Sequence, residues 1–194
     1  MKLFRRSALH ALAFAIFVTP AAAETTAYVF DKNHTEIRFC WNHFGVSEQC
    51  AHFTKFDGEL VYDTADATKS TLNVTFKTDS IETLVPLFNE HMRSAKLFEV
   101  EKFPEASFKS TKIEKTSDKT GKVTGDLTIK GVTKPVTLDV TMAFSGPHPL
   151  SKKQTFGFAA KTTLKRSEFN VAYGVPAVSD DIALEIHTEM PEKG

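Results

Sequence analysis

Apolar side chains recur at every second position along most of the chain, and that period of two constrains the fold more tightly than any other feature. Ile37, Phe39 and Trp41 alternate with Arg38, Cys40 and Asn42, and Leu72, Val74 and Phe76 alternate with Thr71, Asn73, Thr75 and Lys77. The pattern returns in Val123, Leu127 and Ile129, in Val136 to Phe144, in Phe156, Phe158 and Leu164, and in Ile182, Leu184 and Ile186. Successive strand residues point to opposite faces, so each run is apolar on one face and polar on the other. With weaker runs at 53–62 and 105–113, the pattern predicts an all-β, antiparallel domain of about eight strands.

Short polar links such as KTSDKTGK (115–122) and KGVTKP (130–135) suit hairpins between neighbouring strands. One-face-apolar strands bury that face either by packing two sheets together or by closing one sheet into a barrel. An up-and-down barrel of about eight strands is wide enough to hold one small ligand. One segment departs from the alternation. In SIETLVPLFNEHMRSAKLFEVEKFP (80–104), Leu84, Leu87, Phe88 and His91 stand three and four residues apart, which predicts a short helix in a connection near one rim.

The N-terminus reads as a secretory signal peptide over residues 1–23. Lys2, Arg5 and Arg6 precede the apolar run from Ala8 to Val18, and Ala21, Ala22 and Ala23 supply small residues for cleavage. That run is too short to cross a bilayer, and no later stretch offers the ~20 apolar residues a spanning helix needs. The mature domain is then 24–194, exported to the periplasm, with no stable membrane insertion expected. The full chain is neutral, and losing those three basic residues leaves it mildly acidic. Such a charge gives no electrostatic footprint for nucleic acid. The chain holds 17 phenylalanines, enough for either a packed core or the lining of an apolar cavity.

The run GDLTIKGVTKPVTLDV (125–140) resembles the signature of the YceI family of secreted lipid-binding proteins. Three further blocks agree in order: FDKNHTEIRFCWNHFG (30–45), HMRSAKLFEVEKFPEASFKST (91–111) and LKRSEFN (164–170). The resemblance implies an extended, eight-stranded, lipocalin-like β-barrel that encloses a long-chain isoprenoid or other lipid. It implies a carrier without catalytic activity and without a cofactor other than the bound lipid, which would be a polyisoprenoid. The alternative class is an enzyme or redox accessory acting on a lipid or a quinone.

Strand parity then places Phe39, Trp41, Leu127, Ile129, Leu138, Phe156 and Phe158 on inward apolar faces as ligand-lining candidates. Leu84, Phe88 and His91 join them from the helical connection, and His43 from the end of the first long strand. His91 and Arg166 are each open to two readings, as structural residues or as contacts to a polar lipid head.

The only two cysteines, Cys40 and Cys50, frame the stretch CWNHFGVSEQC, with His43 within it and His52 just beyond. The spacing superficially suggests zinc, but Cys40 and His43 fall on opposite faces of one extended strand. A C-x-x-C redox motif is absent. An exported protein favours a disulfide between Cys40 and Cys50, flanking the connection between strands at 37–43 and 52–62 and lying outside the barrel. Free thiols and a metal site are the alternatives.

Overall fold

The computed structural model describes residues 24–194; the expected signal peptide, residues 1–23, lies outside them. In chain order the strands are β1 (Thr25–Val29), β2 (Thr35–His43), β3 (Ser47–Phe53), β4 (Phe56–Asp63), β5 (Thr71–Lys77) and β6 (Ile81–Glu82). A helix, α1 (Pro86–Arg93), follows, and then β7 (Glu105–Lys115), β8 (Thr120–Ile129), β9 (Val132–Pro147), β10 (Gln154–Lys165) and β11 (Asp181–Pro191). They form one antiparallel sheet in the order β1-β4-β5-β7-β8-β9-β10-β11-β2-β3-β6. The sheet curls into a half-barrel, and β1, paired to β4 on one edge, meets β11 on the other. There Tyr28 bridges Glu192, the Asp31 amide donates to the Glu189 carbonyl at 2.9 Å, and the Lys193 amide donates to the Ala27 carbonyl at 2.8 Å.

Eleven strands therefore replace the eight expected from the alternation. Three extended stretches are each broken once, at residues 30–34, 54–55 and 78–80. At the first break the Asp31 side chain accepts from the Asn33 amide at 2.9 Å and turns the chain. The other two breaks lie side by side. Ser80 takes the amides that leave the ladder, its carbonyl accepting from Thr54 at 3.2 Å and its hydroxyl accepting from Lys55 at 3.0 Å. Local side-chain bonds of this kind compete with strand pairing without changing hydrophobic period, which is why the pattern runs straight across them.

The hollow side carries the apolar half of each alternation. Ile37, Phe39 and Trp41 of β2 are buried together with Val74 and Phe76 of β5, Phe108 of β7, Leu127 of β8 and Leu138 of β9. The outer face carries cross-strand polar pairs. Arg38 and Glu185 form an ion pair, Lys122 reaches Asp139 at 2.6 Å, and the Thr124 and Thr137 hydroxyls meet at 2.8 Å. Exposed pairs of this kind contribute little to stability individually, but they fix which face meets water. The β8–β9 hairpin turns on Lys130 (φ 49°) and Gly131 (φ 75°), the left-handed pair a two-residue turn requires. A Cβ on Gly131 would also stand 2.9 Å from the Phe103 ring.

The disulfide joins Cys40 to Cys50, which are direct cross-strand partners with Cα atoms 4.1 Å apart. β3 begins at Ser47, earlier than the expected 52, so Cys50 lies within the strand and does not flank a longer connection. The sulfurs are bonded to each other and His52 pairs with Glu36 at 3.0 Å, so the two-cysteine, two-histidine arrangement does not form.

Candidate functional site

Two apolar cavities lie on the hollow side. The larger, about 580 Å³, opens beside α1 and the loop 171–178; the smaller, about 280 Å³, lies toward the β7–β8 hairpin. Ile37, Phe76, Leu127, Leu184 and Ile186 line both, so they form the partition between the two.

An aromatic wall dominates the larger cavity. The Phe39 ring lies 6.0 Å from Trp41, 5.2 Å from Phe53 and 6.2 Å from Phe98 between centroids. These spacings are in the range of attractive ring contacts, and they hold the side chains in place without filling the space. Phe88 of α1 closes over Trp41 at 5.9 Å.

The helix is seated by polar contacts to β6 and the residues after it. Asn89, 6% exposed, accepts at Oδ1 from the Thr83 amide and hydroxyl, each at 2.7 Å, and donates from Nδ2 to Glu82 at 2.8 Å. Arg93 donates to the Ile81 carbonyl at 2.9 Å. The Asn89 side chain and the Leu84 amide hold the Glu82 carboxyl below its ordinary pKa. From the same connection Met92, Leu97 and Phe98 are buried in the core, so its apolar side is packed against the sheet.

The expected site residues divide by place. Phe39, Trp41, His43, Phe88, His91 and Ile129 line the larger cavity, Leu127 lines both, and Leu138 and Phe158 line the smaller. Phe156 lines neither. It is 4% exposed in an aromatic cluster, 4.7 Å from Tyr28 and 4.9 Å from Tyr62, at the end of the sheet where β1 meets β11. Leu84 is also no part of the wall. It takes a left-handed backbone conformation (φ 65°) just before the helix, which turns its side chain into solvent at 84% exposure.

Sequence reasoning missed Phe53, Phe98, Tyr173 and Val178 as cavity-lining residues. Leu97 and Phe98 form an apolar pair inside the connection, a signal that was present but lacked a period. The loop 171–178 carries no period at all.

Arg166 also lines the larger cavity, at only 8% exposure. Its guanidinium donates to four backbone carbonyls: Nε to Ser179 at 2.8 Å, Nη1 to Val171 at 2.7 Å and Tyr173 at 2.9 Å, and Nη2 to Val178 at 3.0 Å. Burial pulls its pKa below the usual arginine value, opposed by the charge of Asp180. Among the described residues no carboxylate is in direct contact with Arg166; Asp180 acts on it through its charge and is itself held by Ser167, whose amide and hydroxyl reach it at 2.8 and 2.7 Å. Burial alone would raise the Asp180 pKa, but those two bonds bring it below the usual value.

A curled antiparallel sheet that keeps apolar space on its hollow side, overhung by a short helix, defines a β-barrel binding protein. The chain belongs to the YceI family: the family's YceI-like domain matches residues 28–190. It is 33% identical over 189 residues to the UPF0312 protein ECA1782 of Pectobacterium atrosepticum, covering 96% of this chain and 97% of that one. It is 35% identical over 176 residues to Protein YceI of Salmonella arizonae, covering 90% and 91%. Among solved structures it is similar to the Campylobacter jejuni YCEI protein, with a TM-score of 0.72 and 32% identity over 79% of this chain and 90% of that one. It also shares its fold with a polyisoprenoid binding domain from Saccharophagus degradans, with a TM-score of 0.64 and 14% identity over 87% and 99%. No helix among the described residues is long and apolar enough to cross a membrane.

Proposed function

We propose that this protein is a periplasmic carrier that sequesters one long-chain isoprenoid or related lipid in the larger cavity, with the chain reaching past the partition toward the smaller one. The cavity itself carries this reading: about 580 Å³ of space walled by Phe39, Trp41, Phe53, Phe88 and Phe98. Each methylene removed from water contributes about 0.8 kcal/mol, so a long chain binds tightly through apolar contact alone. A preformed wall lowers the cost of ordering that chain.

Three other observations support the reading. The fold is shared with a polyisoprenoid-binding domain, the disulfide suits an oxidising compartment, and residues 1–23 have the pattern of an export signal. Binding is favoured over redox catalysis because both thiols are consumed in the disulfide and neither His43 nor His91 hydrogen-bonds a carboxylate among the described residues.

Native mass spectrometry of the exported protein, purified without detergent, tests the reading. One lipid per chain is the expected result. Protein that carries no lipid and takes up none from isoprenoid-containing vesicles would contradict it.

A further inference from the structure

Two carboxylates on the outside of the barrel differ from their neighbours in what faces them. Acids such as Glu185 and Asp139 are matched there by Arg38 and Lys122. Asp31 and Glu189 have no lysine or arginine partner among the described residues, and each is faced by an imidazole instead. His34 Nδ1 lies 2.9 Å from Asp31 Oδ2, and His148 Nε2 lies 3.8 Å from Glu189 Oε2.

We propose that Asp31, His34 and Glu189 form a site for one divalent transition-metal ion, with zinc the best fit, which staples the barrel where β1 meets β11. One ligand atom from each residue lies within 4.8 Å of the other two. Donors that close can share an ion at about 2.0–2.2 Å after small rotations, and none of these side chains is fully buried. The backbone has already brought them together. The Asp31 amide donates to the Glu189 carbonyl at 2.9 Å, and the Glu189 amide donates to the His34 carbonyl at 3.2 Å. Thr188 and Met190 are buried, so strand alternation turns Glu189 outward between them. The Asn33 amide holds Asp31 Oδ1 at 2.9 Å, which leaves Oδ2 to the imidazole.

An ion pair that only tightened the 31–34 turn would need Asp31 and His34, not a third donor from β11. One imidazole and two carboxylates, with a position left open for water, make a three-ligand set of the kind zinc takes. The nitrogen favours zinc over calcium, which prefers oxygen throughout. Nδ1 of His34 then presents its lone pair to the ion, and the ring keeps its proton on Nε2. His148 supports Glu189 from outside the site. Its Nδ1 accepts from the Leu150 and Ser151 amides at 3.3 and 3.2 Å, so its Nε2 carries the proton toward the carboxylate. None of these residues lines either cavity, so the site is independent of the lipid reading.

The test follows zinc and calcium binding by titration calorimetry in tag-free, chelator-treated mature protein. Zinc should bind at one ion per chain, and more tightly than calcium. His34→Ala and Glu189→Gln should each weaken zinc by about tenfold or more, since even outer partners of a metal ligand are worth about 10–100-fold. His52→Ala, which removes the histidine paired with Glu36, should leave zinc affinity unchanged. Tm should rise with zinc concentration in the unmodified protein and stay flat in His34→Ala. Zinc binding that survives both site variants overturns the proposal, as does its loss in His52→Ala or its absence from the unmodified protein. Tighter binding of calcium overturns the assignment of the ion. Should one site variant fail to fold, the other decides.

Discussion

The Phe88 ring stands 5.9 Å from the indole of Trp41, inclined at 63°, so the helix touches the sheet directly over the cavity wall. Everything that holds α1 in place therefore bears on access to the cavity. The Glu82–Asn89 contact is the part of that seating which responds to pH.

The Glu82 carboxyl has a lowered pKa when folded, because its bonds to Asn89 and the Leu84 amide favour the ionised form. A depressed carboxylate contributes stability that is full above its unfolded value and fades as pH falls through its folded value. Acidification below the ordinary glutamate range should loosen residues 82–93 ahead of the sheet. Hydrogen exchange across that range checks this, and Glu82→Gln should show the faster exchange already at neutral pH. Exchange of α1 in step with β8 and β9 at every pH would argue against the clamp.

Reduction of the Cys40–Cys50 bond should cost stability without costing the cavity. The bond closes a loop of sequence separation 10, a clip of about 2.5–3 kcal/mol in the chain-entropy model. For a domain of this size that corresponds to a fall in Tm of roughly 5–12 °C. The cysteines belong to neither cavity wall, so lipid affinity of the Cys40→Ser, Cys50→Ser double variant should stay within about twofold of the unmodified protein. Two free thiols titrated in exported, unreduced protein would remove the premise.

Phe156 and Phe53 should separate packing from lining. Phe156 is enclosed by Tyr28, Tyr62 and Phe158, so Phe156→Ala leaves a hole in a filled region and should destabilise by about 3–5 kcal/mol. Phe53 is only partly buried and borders open space, so Phe53→Ala should cost less stability in lipid-free protein and weaken lipid retention. Paired denaturant melts and retention assays check the contrast. Equal destabilisation with unchanged retention would mean that the Phe53 side chain is ordinary core.

The residues of β2 and β8–β10 could be assigned to faces from the sequence because both of their faces obey the period of two. β3 could not: SEQCAHF contains a single fully buried apolar residue, Ala51, so nothing in it alternates strongly enough to show. The breaks around Asp31 and Ser80 are made by a few local hydrogen bonds, which leave no trace in hydrophobicity. Helical spacing put Leu84, Phe88 and His91 on one face, but the helix starts only at Pro86, and Leu84 belongs to the turn that feeds it. Arg166 was visible as a charged residue in the LKRSEFN block, open to a structural role or a contact to a polar lipid head. Its cage of carbonyls comes from a loop whose course the sequence does not encode by period.

Trp41 offers the most direct test of the central claim that a long lipid occupies the larger cavity. It is the only tryptophan in the chain, it is 6% exposed, and it lines that cavity. Titrating delipidated protein with a long-chain isoprenoid while following Trp41 emission should give a shift that saturates at one lipid per protein and is blunted in Phe88→Ala. Emission that ignores the lipid at every ratio, in protein shown to be folded, would mean that no chain lies against the indole.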